Sequence, residues 1–174
     1  QSRGHHFRTQ TDTEVILKTY AQWGMDGVSK LRGIFAFALW QPETPEVSAQ
    51  LLLARDPLGV KPLYYYLHDD GYLVFASEVR ALLASGLVPR RLDPAGLHSF
   101  LAFGSVQDPL TLVQGVRSLR PGHTLLWRRT DVRVRRYWGL PRELSLDHEG
   151  GGAELLERIG HELAEAVRLQ LVSD

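Results

Sequence analysis

"LLLARDPLGVKPLYYY", residues 51–66, decides the architecture. Four apolar residues run without a break, then come a charged pair, turn-forming residues and a second extended run. A strand that is apolar on both faces must be covered on both, so residues 51–54 lie inside a layered structure. Asp56, Pro57 and Gly59 occupy the first, second and fourth positions of a type I β-turn. Pro62 cannot donate to a ladder, and it opens the next strand, residues 63–66. Arg55 directly follows the apolar strand and has to be paired, because an unpaired buried ion costs on the order of several kcal/mol. Asp56 or Glu78 could be its partner, and a structural ion pair that locks the turn is the favoured reading over catalysis.

Working outward, "LRGIFAFALW", residues 31–40, has the same character: Ile34, Ala36 and Ala38 on one face, Phe35, Phe37 and Leu39 on the other. It is read as a second interior strand. Residues 68–71 form a tight turn into a returning strand, 72–76. "SEVRALLASG" predicts a short helix with Ser77 as N-cap and Gly86 as terminator. "DPAGLHSFLAFG" predicts another, with Asp93 as cap, Pro94 at the first helical position and Gly104 at the end. Residues 122–138 read as a β-hairpin turning near Thr130–Asp131. Arg133 and Arg135 alternate there with Val132 and Val134; a solvated strand face is favoured over a phosphate-binding strip.

At the N-terminal side, "FRTQTDTEVI", residues 7–16, predicts the start of a helix over 11–24. Thr11 and Glu14 fit the capping box, in which hydroxyl and carboxylate satisfy free N–H groups. Asp12 is then a spare carboxylate: it favours the positive end of the helix dipole or grips a ligand. Residues 153–172 form an amphipathic helix with Leu156, Ile159, Leu163, Val167 and Leu171 at helical spacing. The polar stretch 142–152 before it reads as a linker.

Composition narrows the function classes. The chain has 174 residues, 44% of them hydrophobic, and 20 basic against 20 acidic side chains. That balance argues against a general nucleic-acid or membrane-surface binder, which needs a basic footprint. There is no cysteine, so a disulfide framework, a thiolate metal site and a cysteine nucleophile are excluded within these residues. No apolar run approaches the roughly 20 residues of a membrane span. The expected setting is soluble and cytoplasmic. No metal site is expected. His5 and His6 are neighbours that point apart on regular structure, and a solvated turn is favoured over a metal pair. His161 and Glu162 are half of a zinc motif without its second histidine. His123 sits in a turn and is expected to make a structural hydrogen bond. The chain begins at Gln1 and has one methionine, Met25; both ends are expected to be cut from something longer.

Seven segments, in order and in register, carry a resemblance: "GHHFRTQTDTEVI", "LRGIFAFALW", "LLLARDPLGVKPLYYY", "VFASEVRALL", "LDPAGLHSFLAFG", "RSLRPGHTLLW" and "RRYWGL". They resemble asparagine synthase (glutamine-hydrolysing) and, more widely, the class II glutamine amidotransferases. The resemblance implies an α/β (α+β) fold, part of an N-terminal-nucleophile hydrolase α/β/β/α sandwich. Residues 1–141 would be the later two-thirds of the glutaminase domain, 142–152 a linker, and 153–174 the first helix of a synthetase domain. It further implies glutamine hydrolysis by a cysteine thiolate upstream of this chain, which leaves these residues without a catalytic group of their own. Ammonia then converts aspartate, activated with ATP and magnesium as an aspartyl adenylate, to asparagine. Glutamine, aspartate and ATP are the implied small-molecule partners, a homodimer is one expected assembly, and no cofactor is expected within these residues. Asp12 matches the aspartate that holds the α-amino group of glutamine. Ile34 matches a position near the ammonia passage, with a core role as the plainer reading. Arg55, Asp56 and Glu78 are expected to be scaffold. Two alternatives stay open: a related ATP-dependent amidotransferase with another acceptor, and a non-catalytic assembly module.

Overall fold

The structure, a computed structural model, describes residues 7–9, 11–45, 47–129, 131–140 and 152–171. His5, His6 and all of the expected linker except Gly152 lie outside them.

Two antiparallel sheets organise residues up to Gly139. The first contains β1 (Ala36–Gln41), β2 (Gln50–Arg55), β6 (His123–Arg128) and β7 (Asp131–Arg136), in the order β1-β2-β6-β7. The second contains β3 (Tyr64–Leu67), β4 (Leu73–Ala76) and β5 (Val116–Ser118), in the order β4-β3-β5. Helix α1 (Asp12–Trp23) continues into a 3-10 segment, Gly24–Lys30. Helices α2 (Val79–Ala84) and α3 (Pro94–Phe103) follow β4.

Side-chain alternation along β2 explains the layering. Leu52 and Ala54 point to one side, into a core with Val28, Leu39, Ile16 and Tyr20 from the α1 side. Leu53, one residue on, points to the other, into a core with Leu63, Leu119 and Leu125 between the two sheets. A third core joins Leu82 of α2 to Val116 and to Tyr64 and Tyr66 on the outer side of the second sheet. Three apolar interfaces separate four layers, helix–sheet–sheet–helix, as the sandwich reading requires. The unbroken apolar run of β2 is what a strand covered on both faces needs.

Polar contacts fix how the layers sit. Gln50, buried on β2, donates to the Gln41 side-chain oxygen at 2.7 Å and to the Tyr20 hydroxyl at 3.0 Å. Arg128 donates to the Gln50 side-chain oxygen at 2.9 Å. One network thus ties α1 to β1, β2 and β6. Across the sheets, the Trp127 indole donates to the Gly71 carbonyl at 2.8 Å.

Several local expectations change. The apolar run 31–40 becomes a strand only from Ala36, because Gly33 has φ +139° and residues 31–35 lead out of the 3-10 segment instead. Ile34 is consequently 42% exposed and is not a core residue. Helix α2 is capped by Glu78 rather than Ser77, with no side-chain cap bond. Helix α3 matches its reading: Asp93 accepts from the Ala95 and Gly96 amides, Pro94 starts the helix, and Gly104 closes it in the left-handed conformation.

Residues Leu140–Asp174 form a separate compact unit. It contains α4 (Gly152–Gln170), whose apolar residues Leu156, Ile159, Leu163 and Val167 are exposed. No helix among the described residues is long and apolar enough to cross a membrane.

Candidate functional site

The first turn of α1 holds two carboxylates with different surroundings. Thr11 is the N-cap in extended geometry, and its carbonyl accepts from the Glu14 amide at 3.1 Å. Its hydroxyl caps nothing. The expected capping box is therefore only half made, and it is shifted. Glu14 reaches back past Thr11 to the preceding segment. Its oxygens accept from the Arg8 amide at 3.0 Å, the Thr9 amide at 2.7 Å and the Thr9 hydroxyl at 2.6 Å. The Thr9 hydroxyl, followed by the Arg8 amide, holds the Glu14 carboxyl below its ordinary range. Two successive amides and a hydroxyl are a better acceptor's target than the single Thr11 amide. Thr9, two positions before Thr11, was the available signal for this in the sequence.

Asp12 occupies the first position of α1 and is exposed. Among the described residues its carboxylate has no hydrogen-bond or ion-pair partner. The local structure is thus closed by Glu14, and Asp12 remains available at the positive end of the helix.

Arg55 and Asp56 build the turn between the two sheets. Arg55 is 8% exposed and donates to the carbonyls of Lys61 (2.8 Å), Leu119 (2.7 Å) and Gly59 (2.8 Å) and to the Ser118 hydroxyl (3.0 Å). Its carboxylate partner is Asp108, at 3.6 Å, and neither Asp56 nor Glu78. Asp56 instead accepts from the amides of Leu58, Val60 and Lys61. Its own carbonyl accepts from the Gly59 amide at 3.1 Å, the bond of the expected β-turn. Gly59 has φ +69°, and a Cβ there would lie 2.6 Å from Pro121, so no larger residue fits. Glu78 is exposed and pairs with its neighbour Arg80.

The remaining candidates lie elsewhere in the fold. Arg133 pairs with Asp131 at 2.7 Å and Arg135 with Asp26 at 3.0 Å, along an open groove of about 870 Å³ beside β7. His123 Nδ1 lies 2.7 Å from the Pro121 carbonyl. His161 and Glu162 are exposed on α4. Among the described residues no three His, Asp or Glu side chains are grouped to hold a metal ion.

Comparison with known proteins gives this arrangement a family. The family described as "Glutamine amidotransferase domain" matches residues 1–138. The chain belongs to the glutamine amidotransferase domain family. It is 36% identical, over its whole length, to "Asparagine synthetase [glutamine-hydrolyzing] 3" of Bacillus subtilis, of which it covers 27%. It is 35% identical over 97% of its length to "Amidase chry2" of Gibberella zeae, covering 24% of that protein. The chain therefore spans about a quarter of the length of these curated relatives. Among solved structures, the glutamine phosphoribosylpyrophosphate amidotransferase of B. subtilis aligns with a TM-score of 0.50 at 24% identity. That alignment covers 79% of this chain and 25% of the other, and it bears on the fold alone. The two sheets and their helices have the α/β sandwich fold that N-terminal-nucleophile hydrolases share.

Proposed function

We propose that this chain is the glutamine-binding part of a cytoplasmic, glutamine-dependent asparagine synthase, and that Asp12 holds the α-amino group of glutamine. The observation that carries the reading is the division of labour in the first turn of α1. Glu14 is fully engaged by the preceding chain, while the Asp12 carboxylate is unengaged among the described residues. An ammonium supplies the charge-assisted donors that such a carboxylate accepts, a contact worth about 1.5–3 kcal/mol.

In this reading residues 1–141 serve the glutaminase, 142–152 link, and 153–174 begin the synthetase domain. These 174 residues contain no cysteine, so the thiolate that would attack the glutamine amide is not among them. Among the described residues no three His, Asp or Glu side chains are grouped to hold magnesium. Glutamine is the substrate bound here; aspartate and ATP act in the longer protein, which we take to be a homodimer. In this reading Ile34, an exposed apolar residue before β1, lines the passage for uncharged ammonia.

The test is Asp12→Asn in the full-length protein. It should raise the KM for glutamine about 10- to 100-fold, the equivalent of the lost contact. Synthesis supported by added ammonia should persist. Equal loss of both activities would refute the assignment.

A second reading has its own support. The chain is also similar over nearly its whole length to a protein named an amidase rather than an asparagine synthetase, so the alternative is a related amidotransferase that delivers nitrogen to an acceptor other than aspartate. Product analysis of the full-length protein with glutamine, ATP and aspartate separates the two: asparagine supports the first, and turnover only with another acceptor supports the second.

A further inference from the structure

Glu14 is the most heavily hydrogen-bonded side chain near Asp12, and the binding of glutamine assigns it no task. Its carboxylate gathers the Arg8 amide, the Thr9 amide and the Thr9 hydroxyl, all within 3.0 Å. Among the described residues, the other polar contacts of this stretch are local. The Thr9 and Thr11 hydroxyls lie 3.0 Å apart, and the Thr11 amide lies 3.4 Å from the Thr9 hydroxyl. Thr11 contributes no side-chain cap. Among the described residues, the path by which the chain enters α1 is thus set chiefly by the carboxylate two residues beyond Asp12.

We propose that Glu14 is a positioning residue for glutamine: by clasping the backbone at Arg8 and Thr9 it fixes the entry to α1 and the direction in which Asp12 presents its carboxylate. The proposal rests on the reading of Asp12 given above. Asp12 sits between the clasped segment and the first helical hydrogen bonds, so its backbone is held from both sides. Without the clasp, the segment before Thr11 is free to reorient, and the ammonium of a bound amino acid meets a carboxylate that must first be ordered. The clasp prefers a full charge, since two backbone donors and a hydroxyl converge on it. A glutamine side chain has the same reach, but its amide nitrogen would face an N–H donor.

The experiment compares Glu14→Gln, Thr9→Val and Asp12→Asn in the full-length protein, with glutamine kinetics, ammonia-supported turnover and thermal stability measured on each. Glu14→Gln should raise the KM for glutamine about tenfold with kcat nearly retained, the pattern of a lost binding contribution. Thr9→Val, which removes the hydroxyl and leaves both amides, should raise it about threefold. Ammonia-supported turnover and melting temperature report folding, and a purely structural role would move these while leaving KM in place. An unchanged glutamine KM in both Glu14→Gln and Thr9→Val, with a raised KM in Asp12→Asn, overturns the clasp and spares the Asp12 assignment. An unchanged KM in Asp12→Asn overturns both. Should Glu14→Gln fail to fold, Thr9→Val decides alone: a KM shift supports the clasp, and none overturns it.

Discussion

At the scale of single residues, three ionisable groups show how environment assigns tasks. Arg55 is buried with four hydrogen bonds and an acid 3.6 Å away, so its charge belongs to the scaffold. Arg55→Met should cost about 3 kcal/mol in urea denaturation, because three carbonyls lose their charged donor inside the protein. A loss under about 1 kcal/mol would show that water replaces it. Tyr137 donates to the Arg55 carbonyl at 2.7 Å, and burial first, then the Asp56 charge, raises its pKa well above the ordinary 10. A group raised in the folded state lends stability that is whole below its unfolded value and is lost as pH climbs from there through the folded one. Tyr137→Phe should therefore flatten the fall in stability above about pH 10. Glu14 has the opposite sign. Its depressed carboxyl favours the fold above its ordinary value of 4.5, and that contribution disappears as pH falls through the lower folded-state value. The Arg8 and Thr9 amides should lose hydrogen-exchange protection on acidification in the unaltered protein, whereas in Glu14→Gln, which has no carboxylate to protonate, their protection should be low throughout and should not follow that titration.

At the scale of elements, α3 shows which signals sequence carries well. Its cap, its proline and its closing glycine all act as their chemistry dictates. Asp93→Ala should cost about 1 kcal/mol by chemical denaturation, the usual worth of a cap. Gly96 is less obvious. Alanine is the better helix former, by about 1 kcal/mol, but a Cβ at residue 96 would stand 2.0 Å from the Thr111 carbonyl oxygen. Gly96→Ala should therefore destabilise, by about 2 kcal/mol or more; a gain in melting temperature would contradict the close approach. Strand β5 escaped the sequence because Val116–Ser118 is three residues with an arginine at its centre, too short to show a period. The start of β1 was misjudged because apolarity says nothing about the backbone turn at Gly33. Arg55 was correctly given a partner in principle, yet Asp108 lies 53 positions further along the chain, and only tertiary packing brings it there. The Thr11–Glu14 pattern named the right carboxylate and the wrong donor, since both sets of amides lie within its reach.

At the scale of the whole molecule, the alternation along β2 forces two sheets face to face, and helices cover their outer sides at three apolar interfaces. Residues 51–66 told only that a strand lies inside a layered structure; the two-sheet sandwich came from the resemblance. The carboxylate at the entrance to α1, unpartnered among the described residues, was legible as well, but its meaning came from resemblance, because one spare acid at a helix start has no chemistry of its own. The 174 residues should release no glutamate from glutamine when purified by themselves, since they contain no cysteine; measurable release would show that the nucleophile has been misplaced. The contact between Asp12 and substrate can be seen directly in a crystal structure of the full-length protein with glutamine bound. The account predicts an Asp12 carboxylate oxygen about 2.7–2.9 Å from the α-amino nitrogen. An ammonium held by other groups, with Asp12 turned to solvent, would contradict it.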